Sequence, residues 1–417
     1  MGKTRPALPP LAPVHAIDRL LSGPEYYHAS VGRHPRTLLR PRDVVAVLEG
    51  TLAENTHIDW QAALDQVSAA NPGCRLRLYG KLQGTRWRSD GQSPRVRLLP
   101  ECAWDGRSSE GDEFIFNPPL CLEDGRVCEL IVTGRQRIKL IFRAAHAAMD
   151  GMGVNHCLQE LMRVLRGEPL LGTNATYTDI QLMRHIESRH QPFHYVKPAP
   201  LGGPPRGEER GGQWRRITLP GPQPALLPHI IQIVAEHARR YTEDTAPVRI
   251  ALPISVKRHA PDLTGTCNFT NMLYLDIAPQ ADARQIKTQL RELLNRNADA
   301  FYSEALELVR YLPFTWLDRL LSVNDRNYTR PHLAETALLT VLGPLKRTPF
   351  CGGGFQAETL YGLPQKENAF ITAVGFQGKF EVCVAMANVF ASEGRLDAFL
   401  QELQQKLTPM REHSTIG

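Results

Sequence analysis

His146 stands four residues before Asp150, and Gly151 follows directly, in the stretch "RAAHAAMDGMGVNHCLQEL". An imidazole is the side chain whose unperturbed basicity suits proton transfer near neutral pH. An aspartate at a helix start meets free backbone donors and the positive end of the helix dipole. A glycine beside it leaves backbone N–H groups unshielded. The set suits general base catalysis at a carbonyl, with backbone donors steadying the oxyanion. Four alanines, Ala144, Ala145, Ala147 and Ala148, flank the histidine and leave room beside its ring. The plain alternative is a structural histidine, and the H-x-x-x-D-G spacing also arises by chance. Position gives it weight: an apolar run, "IKLIF", precedes it and an amphipathic run follows.

The elements around it are legible. "VCELIVTG" and "IKLIFRAAH" read as two strands about a "GRQR" turn. After Gly151, Val154, Leu158, Leu161, Met162 and Leu165 recur at helical spacing, and Gly167 ends the run. Upstream, "IDWQAALDQVSAANPG" predicts a helix with Asp59 as N-cap, stopped by Asn71, Pro72 and Gly73. "VKPAPLGGPPRGEERGG", 196–212, holds four prolines and five glycines and reads as an exposed, semi-extended linker. It divides the chain into an N-terminal lobe, 1–195, and a C-terminal lobe, 213–417. The second half again mixes elements: strands "QWRRITLP", "VRIALPISV", "NMLYLDIAP" and "ETALLTVLG", helices from "PALLPHIIQIV", "ADARQIKTQLREL" and "EGRLDAFLQEL", and a hairpin about "QG". The fold class is therefore α/β, as two sandwich lobes.

With 417 residues, 49 basic against 43 acidic and a formal charge of +6, the chain reads as an ordinary globular protein. No clustered basic stripe points to nucleic acid. No apolar run reaches the ~18–20 residues of a membrane span, and no signal peptide is read at the N-terminus. Eight scattered cysteines, none spaced C-x-x-C, predict reduced thiols and a cytoplasmic setting. His185, His190 and His194 have poor spacing for a metal, and none is expected. "CGGGF", 351–355, is a glycine loop that either borders a tunnel or simply turns. There is no nucleophile elbow or P-loop.

"HAAMDGMGVNHCLQEL" resembles the active-site motif of the acyltransferase superfamily that includes chloramphenicol acetyltransferase, plant alcohol acyltransferases and the condensation domains of nonribosomal peptide synthetases. Of the condensation-domain form H-H-x-x-x-D-G, Ala145 occupies the first position and His146 the second. "ALDQVSAANPGCRLRL" is similar to the early helix followed by H-P-x-L-R, with Asn71 at the His. "RHAPDLTGTCNFTNMLYLDI" resembles the stretch with an Arg and then G-x-F-x-N, although Gly265 lies four residues before Phe269. "LLTVLGPL" resembles S-N-x-G, with Thr340 and Val341 in place of Ser and Asn.

The resemblance implies two chloramphenicol-acetyltransferase-like lobes with the active site in a channel between them. It implies a free-standing condensation-type acyltransferase of natural-product biosynthesis, with His146 as base and Gly151 as oxyanion donor. Asp150 is then structural and pairs with Arg258, while Asn271 and Thr340 are channel or substrate-binding candidates. The donor is coenzyme A or a carrier protein's phosphopantetheine thioester, the acceptor a small amine or alcohol, and no cofactor is permanently bound. A scaffold that binds carrier proteins or ligands without chemistry is the alternative.

Overall fold

The computed structural model describes residues 8, 10–31, 43–188, 195–242, 246–323, 332–364 and 369–408. The first sheet has five strands in the order β12-β2-β7-β6-β5. These are β2 (Asp43–Leu52), β5 (Arg95–Leu99), β6 (Cys128–Thr133), β7 (Arg137–Ala145) and β12 (Phe355–Leu363). The second has six, in the order β10-β9-β11-β13-β14-β8. They are β8 (Gly212–Pro220), β9 (Val248–Ser255), β10 (Thr270–Ile277), β11 (Ala337–Leu345), β13 (Phe370–Phe376) and β14 (Lys379–Ala387). A small sheet joins β1 (Asp18–Leu20), β3 (Arg77–Tyr79) and β4 (Arg86–Arg88). The helices that matter here are α1 (Gly23–Ser30), α2 (Trp60–Ala70), α3 (Glu113–Phe116), α4 (Gly151–Leu165), α5 (Asp179–Met183), α6 (Leu226–Arg239), α7 (Ala283–Asn295), α8 (Phe314–Leu321) and a closing helix, Arg395–Leu407.

Side-chain alternation explains the layers. Along β7, Leu140, Phe142 and Ala144 face a core shared with α2 and α4, whereas Ile141 faces the other way. Ile141, Val45, Val47 and Ile131 meet Trp214, Tyr361, Cys383 and Ala385 in a second layer where the sheets lie back to back. A third core lies between the second sheet and α6, α7 and the closing helix. Both sheets are thus covered on two faces. All eight cysteines are free thiols. Among the described residues, no helix is long and apolar enough to cross a membrane.

Two features correct the division at 196–212. First, β12 leaves the second lobe and pairs antiparallel with β2, from Phe355↔Leu52 to Leu363↔Val45. The "CGGGF" glycines make the turn that launches it. A Cβ on Gly352 would come within 2.6 Å of the Met162 carbonyl oxygen, and Gly354 has a φ of +81°. The loop is packed on α4.

Second, only part of the Pro/Gly stretch is exposed. Ala199 and Leu201 are buried in the second lobe's core. Ala199 N–H donates to the Pro247 oxygen, and the Arg395 guanidinium donates to the Gly202 and Pro204 oxygens at 2.7 and 2.8 Å. Prolines leave few backbone donors to satisfy, and one buried arginine serves the carbonyls. Residues 207–210 are exposed. Limited proteolysis within this stretch should therefore cut between 207 and 210 and spare 198–203. Fragment masses check it, and a cut inside 198–203 would refute the docking.

Candidate active site

β6 and β7 pair antiparallel about the expected turn, and His146 follows Ala145 at the end of β7. His146 is half-buried among buried alanines. Asp150 caps α4 as its sequence position predicts. Its Oδ1 accepts from Gly153 N–H at 2.8 Å, and it is 1% exposed. Its Oδ2 accepts from Phe269 N–H at 2.8 Å and from the Thr270 hydroxyl at 2.9 Å. The carboxylate thus ties the start of α4 to the start of β10, joining the two halves of the chain beneath the histidine.

The glycines divide their work. A Cβ at Gly153 would come within 2.2 Å of the Thr266 oxygen, so this position carries the close approach of α4 to the 264–268 loop. A Cβ at Gly151 would meet nothing within 4 Å. Its N–H, in the first helical turn, has no intrahelical acceptor. At the other end of α4, Glu160 accepts from Leu171 and Gly172 N–H groups and from Asn71. Asn71 also accepts from the Thr173 hydroxyl. This buried node locks α4 to the end of α2.

Three expectations need correction. Arg258 does not reach Asp150 as its partner. Its guanidinium binds the fully buried Asp299, with Nε–Oδ2 at 2.7 Å, and donates to the Leu294 oxygen. His259 adds a contact to Asp299 at 3.0 Å. Burial pushes the Asp299 carboxyl up, but the Arg258 hydrogen bonds and charge outweigh it, and the carboxyl titrates below its ordinary value. Asp150 already has three donors, so an arginine is not needed to satisfy it. Asn271 is also structural: its Nδ2 donates to the Asp299 and Phe301 oxygens at 2.7 and 2.8 Å, which uses both hydrogens. The asparagine beside the histidine is Asn268. Its Nδ2 donates to the His146 oxygen at 3.3 Å and lies 3.5 Å from His146 Nδ1. Its Oδ1 accepts from Thr270 N–H, which orients the amide. The third correction is to the linker boundary, described above.

Thr340 pairs with Thr372 in β11 and β13, so the two share a face. The Thr372 hydroxyl donates to the Gly362 oxygen of β12, in the first sheet. Thr340 therefore faces the first lobe. Of the three histidines at 185, 190 and 194, His190 and His194 lie outside the described residues. Among the described residues no His, Cys, Asp or Glu group could hold a metal.

Two residues of the site escaped the sequence reading, Asn268 and His28. The His28 ring lies over that of His146, with centroids 4.0 Å apart and planes at 18°. α1 carries it. A signal for this helix was present: "SGPE" gives Ser22 as N-cap, Pro24 and a Glu25 three residues on, and the structure forms that capping box. Beneath α1 the Asp179 carboxyl is 1% exposed, and burial, with nearby Glu25, pushes it up to about 7. Between the ordinary carboxylate range and 7 the folded protein therefore holds a proton that the unfolded chain has lost. That contribution to stability declines as pH rises through this window. Asp179→Asn should gain melting temperature relative to the parent from pH 5 to pH 8. A difference that does not change with pH would refute it.

No family model and no curated protein matches the chain. Solved structures do. The starter condensation domain of rhizomide synthetase, a double mutant in complex with C8-CoA, matches at a TM-score of 0.65 with 14% identity, over 93% of each chain. The first condensation domain of the calcium-dependent antibiotic synthetase, in complex with a substrate analogue, matches at 0.65 with 14% identity, over 94% of this chain and 96% of that one. The condensation domain of the Monacolin K polyketide synthase matches at 0.61 with 13% identity, over 94% and 96%. The chain has the condensation-domain fold, the chloramphenicol-acetyltransferase-like pair of lobes expected from its motif.

Proposed function

We propose that the protein is a condensation-type acyltransferase that moves an acyl group from a thioester to an amine or hydroxyl. The observation that carries this reading is the half-buried His146, set among buried alanines between the end of β7 and the start of α4, where Gly151 leaves its backbone open. The relatives in fold include one bound to C8-CoA, which favours an acyl thioester as donor.

In this reading the acceptor nitrogen or oxygen attacks the thioester carbonyl carbon, and an imidazole lone pair of His146 takes its proton. The carbonyl oxygen becomes an oxyanion facing the Gly151 N–H. One such donor is worth about 3 kcal/mol in the transition state. When the tetrahedral intermediate collapses, the carbon–sulfur bond breaks and the imidazolium returns its proton to the leaving thiolate. No covalent acyl-enzyme is needed, because the thioester is already activated. Asp150 holds the loop and does not touch the reacting atoms. Thr340, on the β11 face that looks toward the first lobe, is the candidate wall residue of a substrate channel.

Coenzyme A and a carrier-protein phosphopantetheine arm present the same thioester. Acyl-CoA and acyl-carrier-protein donors, each incubated with a panel of amines and alcohols and read by mass spectrometry, separate them. An amide or ester product that appears only with the protein supports acyl transfer. Absence of product from every thioester tried would favour a binding scaffold.

A further inference from the structure

We propose that His28 is a positioning residue of the acyl-transfer site, holding the imidazole of His146 by face-to-face contact. The inference rests on the reading of His146 as general base. It starts from the geometry of the pair, a 4.0 Å centroid separation and an 18° interplanar angle, which places one ring flat over the other. The motif itself supplies no second ring, because Ala145 precedes His146. The contact comes instead from α1, more than a hundred residues earlier in the chain.

That helix is fixed at several points. Arg19 donates twice to Glu25 at 2.7 Å, and Glu25 closes the capping box with Ser22. Gly23 N–H donates to Glu307 at 2.7 Å, and a Cβ at Gly23 would meet the Leu306 oxygen at 2.2 Å. The Tyr26 hydroxyl donates to the Leu312 oxygen, and its ring stacks on Phe314 at 4.4 Å. Tyr27 lies edge-on to His28 at 5.2 Å. The 304–314 segment therefore sets α1, α1 sets His28, and His28 covers one face of His146. Asn268 approaches the same residue from the 264–268 loop.

A ring pinned in this way keeps its lone pair aimed along one direction. An unpinned ring spends time in rotamers that cannot accept the proton, and the rate falls by the fraction lost. A stacked pair is worth about tenfold in such a population.

The test compares His28→Phe, which keeps a flat ring, with His28→Leu, which fills the volume without one. Protein labelled with ¹³C at histidine Cε1 reports the stack directly, with the His146 signal assigned by its absence in His146→Ala. The parent signal should show the upfield displacement of a proton over a neighbouring ring. His28→Phe should keep that displacement and His28→Leu should lose it. kcat should fall by about tenfold in His28→Leu with little change in KM, and His28→Phe should restore most of it. The spectrum needs no substrate, so it tests the positioning even if no thioester turns over. A parent signal without the displacement, or His28→Leu matching His28→Phe in both spectrum and kcat, would overturn the proposal.

Discussion

His146→Ala should remain folded and lose acyl transfer by at least ~10²-fold, the lower end for removal of a positioned base. The fold tolerates the change because the ring is half-buried and its neighbours are already alanines. What disappears includes the stacked contact with His28 and the ring approached by Asn268, neither of which holds an element in place. The bond from the Asn268 side-chain amide to the His146 backbone oxygen survives, so the loop keeps its course. In the parent, with a hydroxyl acceptor that does not itself titrate in this range, the rate should rise with pH through a single ionisation, because only the neutral imidazole accepts the acceptor's proton. The remaining rate in the variant should lose that dependence with the same hydroxyl acceptor, since neither Gly151, substrate placement nor the hydroxyl titrates there. Steady-state rates over pH 5–9 check both statements. A folded variant with near-parent rates would remove His146 from the mechanism.

Much of this site could be read from the chain because its parts are local. The turn between β6 and β7, the end of β7, the cap at Asp150 and the run of α4 all follow from neighbours within a few residues. The Asp59 cap and the Asn71 stop of α2 do so as well, and Ala62 N–H donates to Asp59 as expected. What could not be read depends on chain segments far apart. Nothing local in "FQAETLYGL" says that β12 joins β2 rather than its own neighbours. Arg258 sits 41 residues from Asp299, and a motif shows the arginine without showing which carboxylate it meets. The assignment of Asn271 to the channel, with Asn268 passed over, fails for a related reason. One lies just before β10 and turns to the histidine, and the other lies in the strand and is consumed by carbonyls from 299 and 301. The Pro/Gly stretch misled by composition alone, since its docking depends on Arg395, almost two hundred residues on.

Asp150→Ala should cost at least ~3 kcal/mol of stability. Loss of the cap alone is worth about 1 kcal/mol. The Phe269 N–H and the Thr270 hydroxyl also lose a charged acceptor, at ~1.5–3 kcal/mol each before allowance for non-additivity. Activity should fall with stability, because the same carboxylate holds the histidine loop against β10. Asp150→Asn keeps one acceptor oxygen and turns an N–H₂ toward a donor, so it should fall between. Arg258→Ala should melt early too, for a separate reason: it removes the guanidinium from the buried Asp299 and leaves that carboxylate the His259 contact. Melting of the single variants therefore cannot distinguish an Arg258–Asp150 brace from two independent anchors. Double-mutant cycles can. The Arg258/Asp299 cycle should give an interaction of ~0.5–3 kcal/mol, and the Arg258/Asp150 cycle one below ~0.5 kcal/mol. The reverse pattern would restore the arginine to the motif aspartate and contradict the geometry at both ends.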